Sequence, residues 1–466
     1  MPETRPTYHF TSPTGMDCEP FDPNGAIFWK GRYHLGYIVG YYDECSKHFW
    51  WGHVSSTDLI DWKMHPPMLS PYPGDPDKGI FSGNALVDKK GRVVLHYHGV
   101  DAGNCIAVNE DDDELDSFVK LAANPVMKDP GWDPFGWLED GVYYSISGSH
   151  PEEPGTVPSL YKCTDDDQAE WTLVGDFMSH DMPDVEADED LSGPDLFQLG
   201  DKRVLLCISH KRGARYYFGR FENEQFYPEE HHRMNWIGGD CFALETLLDD
   251  RGRRIFWAWA IGSPSSMTLP RVLSMREDGT MGIEPVEELD ALRRNHRRLE
   301  PGEVEPDVEV DLDGVSGDCM ELRVAIDPQR ADQCGVKLRC SPDGEEQTAV
   351  VYDAAEKVLR IDLAKSSLDS EALPTTFVMV VPNLNFENPR VTAQEAPFEL
   401  GPDEALDLRI YLDRSVLEVF ANGRQCLTQR IYPTREDSLG VRLFSLGEAA
   451  TFTAIDAWDM SPITIR

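Results

Sequence analysis

The sequence lacks any apolar run long enough to cross a membrane, since a membrane-spanning helix needs about 20 consecutive apolar residues. Its first residues, Met1 to Pro6, also lack the basic and then apolar layout of a secretory signal peptide. We therefore expect a protein that is not held in a membrane and that resides in the cytoplasm.

Basic residues are scarce relative to acidic ones. The 43 Lys and Arg residues stand against 83 Asp and Glu residues, which gives a net charge of −40. Such a surface repels the phosphates of nucleic acids and of anionic membranes. The composition therefore argues against both as partners and favours a neutral substrate.

Cysteine pairs at metal-binding or redox spacing are also absent. The ten cysteines are scattered singly without a C-x-x-C pair, and Cys105 and Cys207 lie in apolar, strand-like runs. This pattern favours buried free thiols over disulfides or a zinc site. The neighbouring His231 and His232 lack zinc-ligand spacing too. We therefore expect neither a metal nor an organic cofactor.

Helical periodicity is nearly absent from residues 1–295, apart from a short candidate helix at 286–293. Short strand-like runs alternate there with turns that contain Gly and Asp. This pattern is typical of an all-β barrel, sandwich or propeller. Among the predicted strands are Tyr33–Val39, Val93–His98, Val142–Ser147, Arg203–Ser209, Arg215–Phe221, Arg254–Ala260 and Arg271–Met275.

The chain of 466 residues is too long for one ordinary core, so we expect two domains. A polar stretch containing Pro301 and Gly302 follows the candidate helix and predicts a linker. The predicted domains are therefore residues 1–295 and 304–466. Strands of the second domain, such as Leu322–Ile326, alternate apolar and polar residues, which favours a β-sandwich.

A short turn, Asp22-Pro23-Asn24-Gly25, precedes the first predicted pair of strands. Turn chemistry fixes the backbone around Asp22, and a carboxylate held rigidly at the mouth of a sheet is well placed for catalysis. The four residues alone are also ordinary turn composition. The motifs that follow them decide between these interpretations.

Further motifs follow in a fixed order along the chain. They are WGHVSSTDLIDW at 51–62, GIFSGN at 79–84, WDPFGW at 132–137, GPDLF at 193–197, FALET at 242–246, LPR at 269–271 and LRIYLDRSVLEVF at 408–420. In this order and at these spacings, the set resembles glycoside hydrolase family 32, the invertase, inulinase and levanase family. The resemblance covers nearly the whole chain. It implies a five-bladed β-propeller with a central active site, followed by a C-terminal β-sandwich.

The resemblance also implies retaining cleavage of β-fructofuranosides, for which a carboxylate nucleophile and a carboxylic acid lie about 5–5.5 Å apart. By position in the motifs, Asp22 is the implied nucleophile. Asp133 is the implied residue that binds sugar hydroxyls and stabilises the transition state. Another register would use Asp129 instead. We prefer Asp133, because its motif runs without a gap into the predicted strand Val142–Ser147.

Several positions depart from the family pattern. The family's acid/base Glu corresponds to Ser192, and a serine hydroxyl cannot act as a general acid near neutral pH. Other departures alter the residues that the family uses around the sugar. Phe21, Ile38, Ser46, Asn84 and Trp132 stand where the family has Asn, Gln, Trp, Ser and Arg, respectively.

Two carboxylates are candidates for the missing acid. Glu245 stands where the family has Gln or Lys, at the rim of the same funnel, where burial and like charge would raise its pKa. Asp190 lies two residues before Ser192 and therefore on the same strand face. We favour Glu245. Without any acid, the protein would be a slow enzyme, because general-acid help contributes about 10²–10⁴-fold in rate, or a sugar-binding relative.

Six residues are candidates for substrate contact: Trp132, Asn84, Asp190, Ser192, Trp51 and His53. Trp132 has the strongest case, because a ring directly before a catalytic Asp can form a wall for the sugar. Trp51 and His53 also fit packing roles. The sequence thus predicts a retaining furanoside hydrolase with a carbohydrate substrate. A carbohydrate-binding propeller and a fructosyl transferase are alternatives, and a homodimer is left open.

Overall fold

The computed structural model describes residues 2–13, 18, 20–42, 47–128, 131–149, 157–178, 182–379 and 387–466. The predicted all-β class is confirmed, since the described residues form 35 strands and two short 3₁₀ helices, Glu287–Leu292 and Ser370–Ala372. Within these ranges, no helix is long and apolar enough to cross a membrane. The predicted strands all lie within observed ones.

The first part of the chain forms five sheets, numbered here in chain order. Sheet 1 consists of Pro23–Trp29, Arg32–Tyr42, Lys47–Ser56 and Asp61–Met64, with Thr464–Ile465 added in parallel. Sheet 2 consists of Ile80–Val87, Val93–Gly99, Gly103–Val108 and Val119–Lys120, and sheet 3 of Trp132–Glu139, Val142–Gly148, Ser159–Cys163 and Thr172–Asp176. Sheet 4 consists of Ser192–Leu199, Lys202–Ser209, Gly213–Glu222 and Gln225–Arg233. Sheet 5 consists of Cys241–Leu248, Arg254–Ala260, Ser266–Met267, Arg271–Met275 and Met281–Pro285.

The first strand of each sheet lies innermost. Each of these strands contacts the first strand of the next sheet, and the first strand of sheet 5 contacts that of sheet 1. The five sheets therefore surround a central axis, as the blades of a β-propeller do. The last strand of the chain, Thr464–Ile465, closes on the outer edge of sheet 1.

Each innermost strand carries a β-bulge close to its start. The pairing register shifts between Asn24 and Ile27, Ile80 and Gly83, Trp132 and Pro134, Ser192 and Asp195, and Phe242 and Leu244. A bulge leaves a residue unpaired, bends its strand and redirects the local side chains. The repeated bulges therefore release side chains towards one end of the central axis.

Hydrogen bonds between innermost strands hold neighbouring sheets together. They join Gly83 N to Asn24 Oδ1 at 2.9 Å (sheets 2 and 1), Gly136 N to Asn84 Oδ1 at 2.7 Å (sheets 3 and 2), Thr246 Oγ1 to Asp195 Oδ2 at 2.6 Å (sheets 5 and 4) and Ala26 N to Glu245 Oε1 at 3.0 Å (sheets 1 and 5). These residues are buried. Each bond satisfies a buried polar group that would otherwise be costly.

The rest of the chain forms two packed sheets. One consists of Arg293–Leu299, Gly302–Val304, Cys319–Asp327, Leu406–Asp413, Val416–Ala421, Gln425–Arg430 and Ala450–Met460, and the other of Val308–Ser316, Gln333–Cys340, Thr348–Asp353, Val358–Asp362, Ala393–Pro397 and Gly440–Leu446. Aliphatic side chains from both sheets share one core, as the predicted sandwich requires. The nine described cysteines are free, and all except Cys319 are buried.

The stretch predicted as a linker is largely strand instead. Arg293–Leu299 and Gly302–Val304 both pair with Ala450–Met460 of the sandwich. The candidate helix at 286–293 is a 3₁₀ segment that ends at Leu292, because Arg293 already pairs with Met460. A polar, charged composition fits an exposed edge strand as well as a linker, which is why the sequence did not separate them.

Two motifs that lie far apart in sequence form a buried ion pair between the propeller and the sandwich. Nη2 of Arg271 lies 3.0 Å from Oε2 of Glu418, and both side chains are buried. Glu418 also accepts a hydrogen bond from the backbone N–H of Leu269 at 2.9 Å. The motifs at 269–271 and 408–420 therefore stabilise the contact between the two parts of the chain.

Candidate active site

A cleft of about 640 Å³ opens at the end of the propeller where the innermost strands begin. Its propeller wall includes Asp22, Phe81, Ser82, Trp132, Asp133, Ile208, His210, Asp240, Phe242 and Trp259. Its other wall comes from the sandwich and includes Glu371–Thr375, Phe377–Met379, Arg390, Arg430 and Tyr432. The sandwich thus forms part of the cleft.

Asp22 lies directly before the innermost strand of sheet 1, and its backbone is fixed as the turn composition predicts. Its carbonyl accepts hydrogen bonds from Ile38 N at 3.0 Å and from Asn24 Nδ2 at 2.9 Å. Its Oδ2 accepts a hydrogen bond from Ser82 Oγ at 2.9 Å. Its Oδ1 is buried and has no hydrogen-bond partner among the described residues. This oxygen is therefore the one that is free to react with a bound molecule.

Burial raises the pKa of Asp22 to about 6, against a weaker opposing effect of the Ser82 hydrogen bond and the charge of His210. A carboxyl with this pKa is mostly ionised at neutral pH. Asp22 is therefore available as a carboxylate nucleophile.

Asp133 is the extra residue in the bulge of sheet 3, where Trp132 pairs with Gly148 and Pro134 with Ser147. Its φ of 40° lies in the left-handed region, which few residues other than glycine adopt. Such strain persists only where the surrounding structure enforces it, and it is common at active sites. The bulge places this side chain in the same cleft as Asp22.

The pKa of Asp133 is about 8, raised chiefly by burial and then by the negative charge of Asp22. The hydrogen bond from Gly193 N, at 3.3 Å, opposes this only weakly. At neutral pH, Asp133 therefore carries a proton while Asp22 is ionised. Two neighbouring carboxyls with separated pKa values are the arrangement from which enzymes obtain distinct acid and base roles.

Trp132 also lines the cleft, as the sequence predicts. Its ring packs against His98, with centroids 4.7 Å apart, and against Phe81, with centroids 5.5 Å apart. These neighbours fix the orientation of the indole. With Phe242 and Trp259, it gives the cleft aromatic walls that can pack against the apolar face of a sugar.

Ser192, which the sequence resemblance predicts at the family's acid position, is fully buried. Its single O–H can donate to Oδ2 of Asp190, at 2.9 Å, or to the carbonyl of Ser149, at 3.2 Å, and the carboxylate is the closer acceptor. It does not line the cleft. Ser192 therefore supports Asp190.

Asp190 forms a close pair with His210, a residue that the sequence analysis did not single out. Nδ1 of His210 lies 2.7 Å from Oδ2 of Asp190, and the backbone N–H of His210 donates to Oδ1 at 2.9 Å. Although burial raises the pKa of Asp190, His210 lowers it to about 2 overall. Asp190 is therefore ionised and cannot itself supply a proton near neutrality.

The register of sheet 4 explains how Asp190 and His210 meet. Ser192 pairs with Ile208 across the first hairpin of the sheet. Two residues further out on each side lie Asp190 and His210, so the two side chains fall on the same face as Ser192 and Ile208. The loop that follows Lys202–Ser209 therefore delivers an imidazole to the cleft.

Glu245, which the sequence favours as the acid, lies deeper along the central axis. Its Oε1 accepts the backbone N–H of Ala26 at 3.0 Å, which links sheets 5 and 1. The pKa of Glu245 is raised well above its usual value, by burial first and then by Asp195, whereas Asp22 and Asp133 are not among the causes. Glu245 does not line the cleft, but it lines a small cavity of about 20 Å³ together with Asp22 and Asp133. The acid role of Glu245 therefore stays a prediction, although a cavity of this size is too small for a sugar.

Three further sequence candidates for substrate contact also lie outside the cleft. Asn84 bridges sheets 2 and 3 through both hydrogen bonds to Gly136, at 2.7 and 2.9 Å. Trp51 is fully buried in the core beside sheet 2, and its Nε1 donates to the carbonyl of Phe81 at 3.1 Å. His53 is buried within sheet 1. Packing and hydrogen bonding account for all three.

His53, His65 and Asp116 form the one group among the described residues with ligand atoms close enough to hold a metal, all within 4.8 Å of one another. The rings of His53 and His65, however, stack with centroids 4.2 Å apart and planes 23° from parallel. The nitrogen lone pairs of the two rings therefore run side by side. A tetrahedral metal site requires lone pairs that converge on one point. The group lies away from the cleft, and we assign it no metal.

Two positions used in the sequence comparison lie outside the described residues: Asp129, the alternative stabiliser, and Ser46. The preference for Asp133 over Asp129 therefore stays a prediction. The position of Asp133 in the cleft, beside Asp22, is consistent with that preference.

The structure is a ring of sheets with a carboxyl pair in its central cleft, joined to a β-sandwich. This is the architecture that the sequence resemblance implies. The family models agree: "Glycosyl hydrolases family 32 N-terminal domain" matches residues 9–282, and "Glycosyl hydrolases family 32 C terminal" matches residues 288–459. The chain belongs to glycosyl hydrolase family 32.

Individual relatives match nearly the whole chain. A fructan 6-exohydrolase of Beta vulgaris is 27% identical over 99% of this chain and 88% of its own length. A levanase of Bacillus subtilis (strain 168) is 28% identical over 95% of this chain and 68% of its own length. The crystal structure of fructan 1-exohydrolase IIa from Cichorium intybus has a TM-score of 0.82 at 22% identity, covering 99% of this chain and 98% of that one. At 22% identity, the similarity to the Cichorium intybus structure shows a shared fold and no more.

Proposed function

We propose that this protein is a retaining glycoside hydrolase that acts on β-fructofuranosides. One observation carries the proposal: Asp22 and Asp133 share the cleft, and their pKa values are about 6 and about 8. At neutral pH one carboxyl is thus ionised and its neighbour is protonated. Retaining glycosidases use a carboxylate nucleophile in such a setting.

In the proposed reaction, Oδ1 of Asp22 attacks the anomeric carbon of the fructosyl unit while the bond from that carbon to the leaving oxygen breaks. This forms a covalent fructosyl–Asp22 ester. Water then attacks the same carbon, releases fructose and regenerates the Asp22 carboxylate. Each step inverts the anomeric carbon once, so the configuration is retained overall.

Asp133 has a different part in the proposal. A protonated carboxyl donates through its O–H and accepts through its other oxygen, so it can bind two adjacent sugar hydroxyls. These hydrogen bonds strengthen as positive charge develops on the ring in the oxocarbenium-like transition state. The bulge and the Gly193 N–H hold the carboxyl in place before the substrate arrives.

The substrate class rests on the relatives as well as on the cleft. The relatives named above are, by name, a fructan exohydrolase and a levanase. The cleft combines aromatic walls with a few polar groups, which suits a neutral sugar, and the net charge of −40 also favours a neutral substrate. We therefore propose fructosyl units in β-linkage, in sucrose or in fructans, as the substrates.

The test is a panel of sucrose, 1-kestose, inulin, levan and an aryl β-fructofuranoside, with the products identified by chromatography. Release of free fructose supports hydrolysis. The Asp22→Asn variant should lose at least about 10⁴-fold in kcat, because the nucleophile is removed. Its matched control is Asp140→Asn, an exposed hairpin-turn residue in sheet 3. Undiminished turnover by Asp22→Asn would refute the proposal, and binding of these sugars without turnover would favour a carbohydrate-binding protein.

A further inference from the structure

The proposed roles of Asp22 and Asp133 leave one hydrogen-bonded pair at the cleft, His210 and Asp190, without a function. His210 lines the cleft, and Asp190 holds its Nδ1 at 2.7 Å. Nε2 of His210 has no hydrogen-bond partner among the described residues. The ring of Phe242 packs edge-on against the imidazole, with centroids 5.5 Å apart, and further limits its orientation. The imidazole is thus fixed on one side and open on the other.

We infer that His210 is the general acid and base of this enzyme, and that Asp190 is the positioning residue that orients it. The inference rests on the proposed function, since it supplies the proton that the proposed reaction needs. It also accounts for Ser192. The family's acid/base Glu is replaced there by a small side chain whose hydroxyl supports Asp190.

The charges around His210 favour its protonated form. Burial lowers the pKa of His210, but the negative charge of Asp190 and its hydrogen bond to the ring, together with the charge of Asp22, outweigh this and raise the pKa above its usual value of 6.5. The other charged residues that line the cleft are Asp240, Glu371, Arg390 and Arg430. Through its Nδ1–H, the imidazolium donates to Asp190, which leaves Nε2–H to face the substrate.

With His210 as the acid and the base, each proton that moves in the two steps has both a donor and an acceptor. In the first step, Asp22 forms its bond to the anomeric carbon, the glycosidic C–O bond breaks, and Nε2–H of His210 passes its proton to the departing oxygen. His210 is then neutral. In the second step, Nε2 takes a proton from water as the water oxygen attacks the anomeric carbon and the ester bond to Asp22 breaks. Both residues return to their starting states.

Asp133 is the competing proton donor, because it holds a proton near neutral pH in the same cleft. Asp190 does not compete, because its pKa of about 2 leaves it ionised at neutral pH. Glu245 is less well placed than Asp133, because it is hydrogen-bonded to Ala26 and lines only a cavity of about 20 Å³ beside Asp22 and Asp133, which is too small for a sugar. The experiment must therefore distinguish His210 from Asp133.

The leaving group provides that distinction. Sucrose needs its leaving oxygen protonated, whereas a nitrophenyl β-fructofuranoside has a good leaving group and does not. For His210→Gln, kcat/KM for sucrose should fall by about 10²–10⁴-fold and that for the aryl substrate by less than about tenfold. Sodium azide should accelerate turnover of the aryl substrate by His210→Gln and yield fructosyl azide, because azide attacks the ester without a general base.

The matched control is His232→Gln, a partly exposed histidine on the outermost strand of the same sheet. It should leave both kcat/KM values unchanged. If His210→Gln does not fold, Asp190→Asn takes its place. Losing the Asp190 charge lowers the pKa of His210, so the alkaline limb of the pH–rate profile should move to lower pH while the acid limb stays in place.

The outcomes separate the inference from the proposed function. Equal losses by His210→Gln on both substrates without azide rescue, while Asp22→Asn is inactive, would overturn the role of His210 and leave the proposed function standing. Selective loss on sucrose by Asp133→Asn, and not by His210→Gln, would assign the acid role to Asp133. An unmoved alkaline limb in Asp190→Asn would also count against the pair. Undiminished turnover by Asp22→Asn would remove the proposed function itself.

Discussion

Nδ1 of His210 lies 2.7 Å from Oδ2 of Asp190, and His210 lines the same cleft as Asp22 and Asp133, whereas Asp190 does not line it. A carboxylate that orients an imidazole is a recurring solution to general acid–base catalysis. In this protein the pair lies beside Ser192, whose hydroxyl lies 2.9 Å from Oδ2 of Asp190. Proton transfer is thus assigned to a histidine on the neighbouring strand end.

The first prediction concerns pH. The reaction needs Asp22 ionised and His210 protonated, so kcat/KM should rise as pH rises through about 6, the pKa of Asp22. It should fall again at higher pH, as His210 loses its proton above its usual pKa of 6.5. A bell-shaped profile measured on sucrose checks this. A rate that keeps rising into the alkaline range would contradict it.

The second prediction concerns stability. The pKa of Asp133 is about 8 in the folded protein, raised from 3.8. The folded state therefore binds a proton that the unfolded state releases, and stability falls as pH rises from about 4 to about 8. Asp133→Asn removes this penalty and should raise the free energy of unfolding at pH 8 by on the order of 5 kcal/mol.

At pH 4 the same variant should differ from wild type by less than about 1 kcal/mol, because pH 4 is close to the unfolded pKa of 3.8 and ionisation then stabilises the unfolded state only slightly. Asparagine also tolerates the left-handed backbone at this position. Chemical denaturation at both pH values measures the difference, with Asp140→Asn as the control. A destabilised Asp133→Asn at pH 8 would show that the raised pKa is misassigned.

The third prediction concerns Glu245. Its pKa is raised well above its usual value, by burial first and then by Asp195, which favours the neutral form, and glutamine resembles that form in shape and charge. Glu245→Gln can still accept the Ala26 N–H. We expect the ratio of kcat/KM for sucrose to that for the aryl fructoside to stay within about threefold of wild type. A selective loss of about 10²-fold on sucrose would restore Glu245 as the acid.

The fourth prediction concerns the N-terminal segment. The buried carboxylate of Asp413 accepts hydrogen bonds from the backbone N–H groups of Thr7, Tyr8 and His9 at 2.8–2.9 Å, and lies 3.0 Å from His9 Nδ1. Asp413→Asn places an amide N–H₂ among these donors. It should lower the free energy of unfolding by about 3–5 kcal/mol.

The control for this variant is Asp407→Asn, on the same strand. Its carboxylate is exposed and lies 3.7 Å from Arg323, and such surface pairs contribute less than about 1 kcal/mol. Urea denaturation of both variants gives the comparison. Equal stabilities would mean that Asp413 does not anchor the N-terminal segment.

Much of the fold could be predicted from the sequence because short local residue patterns determine it. Turns such as Lys30-Gly31, with φ values of 49° and 80°, mark hairpins wherever they occur. The three predicted residues that line the cleft, Asp22, Trp132 and Asp133, each lie inside a local motif, while their roles stay predictions. The strands within residues 294–302 could not be predicted, because the polar composition of this stretch suits both a linker and an edge strand.

His210 and Glu245 show why the rest of the site could not be predicted. His210 meets Asp190 only through the pairing of Ser192 with Ile208 across a hairpin, and no local pattern fixes that register. Glu245 follows the bulge between Phe242 and Leu244, which changes the direction of every later side chain on the strand. A one-residue irregularity thus decides which residues reach the cleft.

The most direct test of the central claim is to trap the covalent intermediate. His210→Gln is mixed with an aryl β-fructofuranoside, quenched in acid, digested and examined by mass spectrometry. Because the first step does not need the acid and the second lacks its base, we predict that one fructosyl unit accumulates on the peptide that contains Asp22. Wild type should show less of this adduct. Release of fructose with no adduct on any peptide, or an adduct on a residue other than Asp22, would contradict the assignment of Asp22 as the nucleophile.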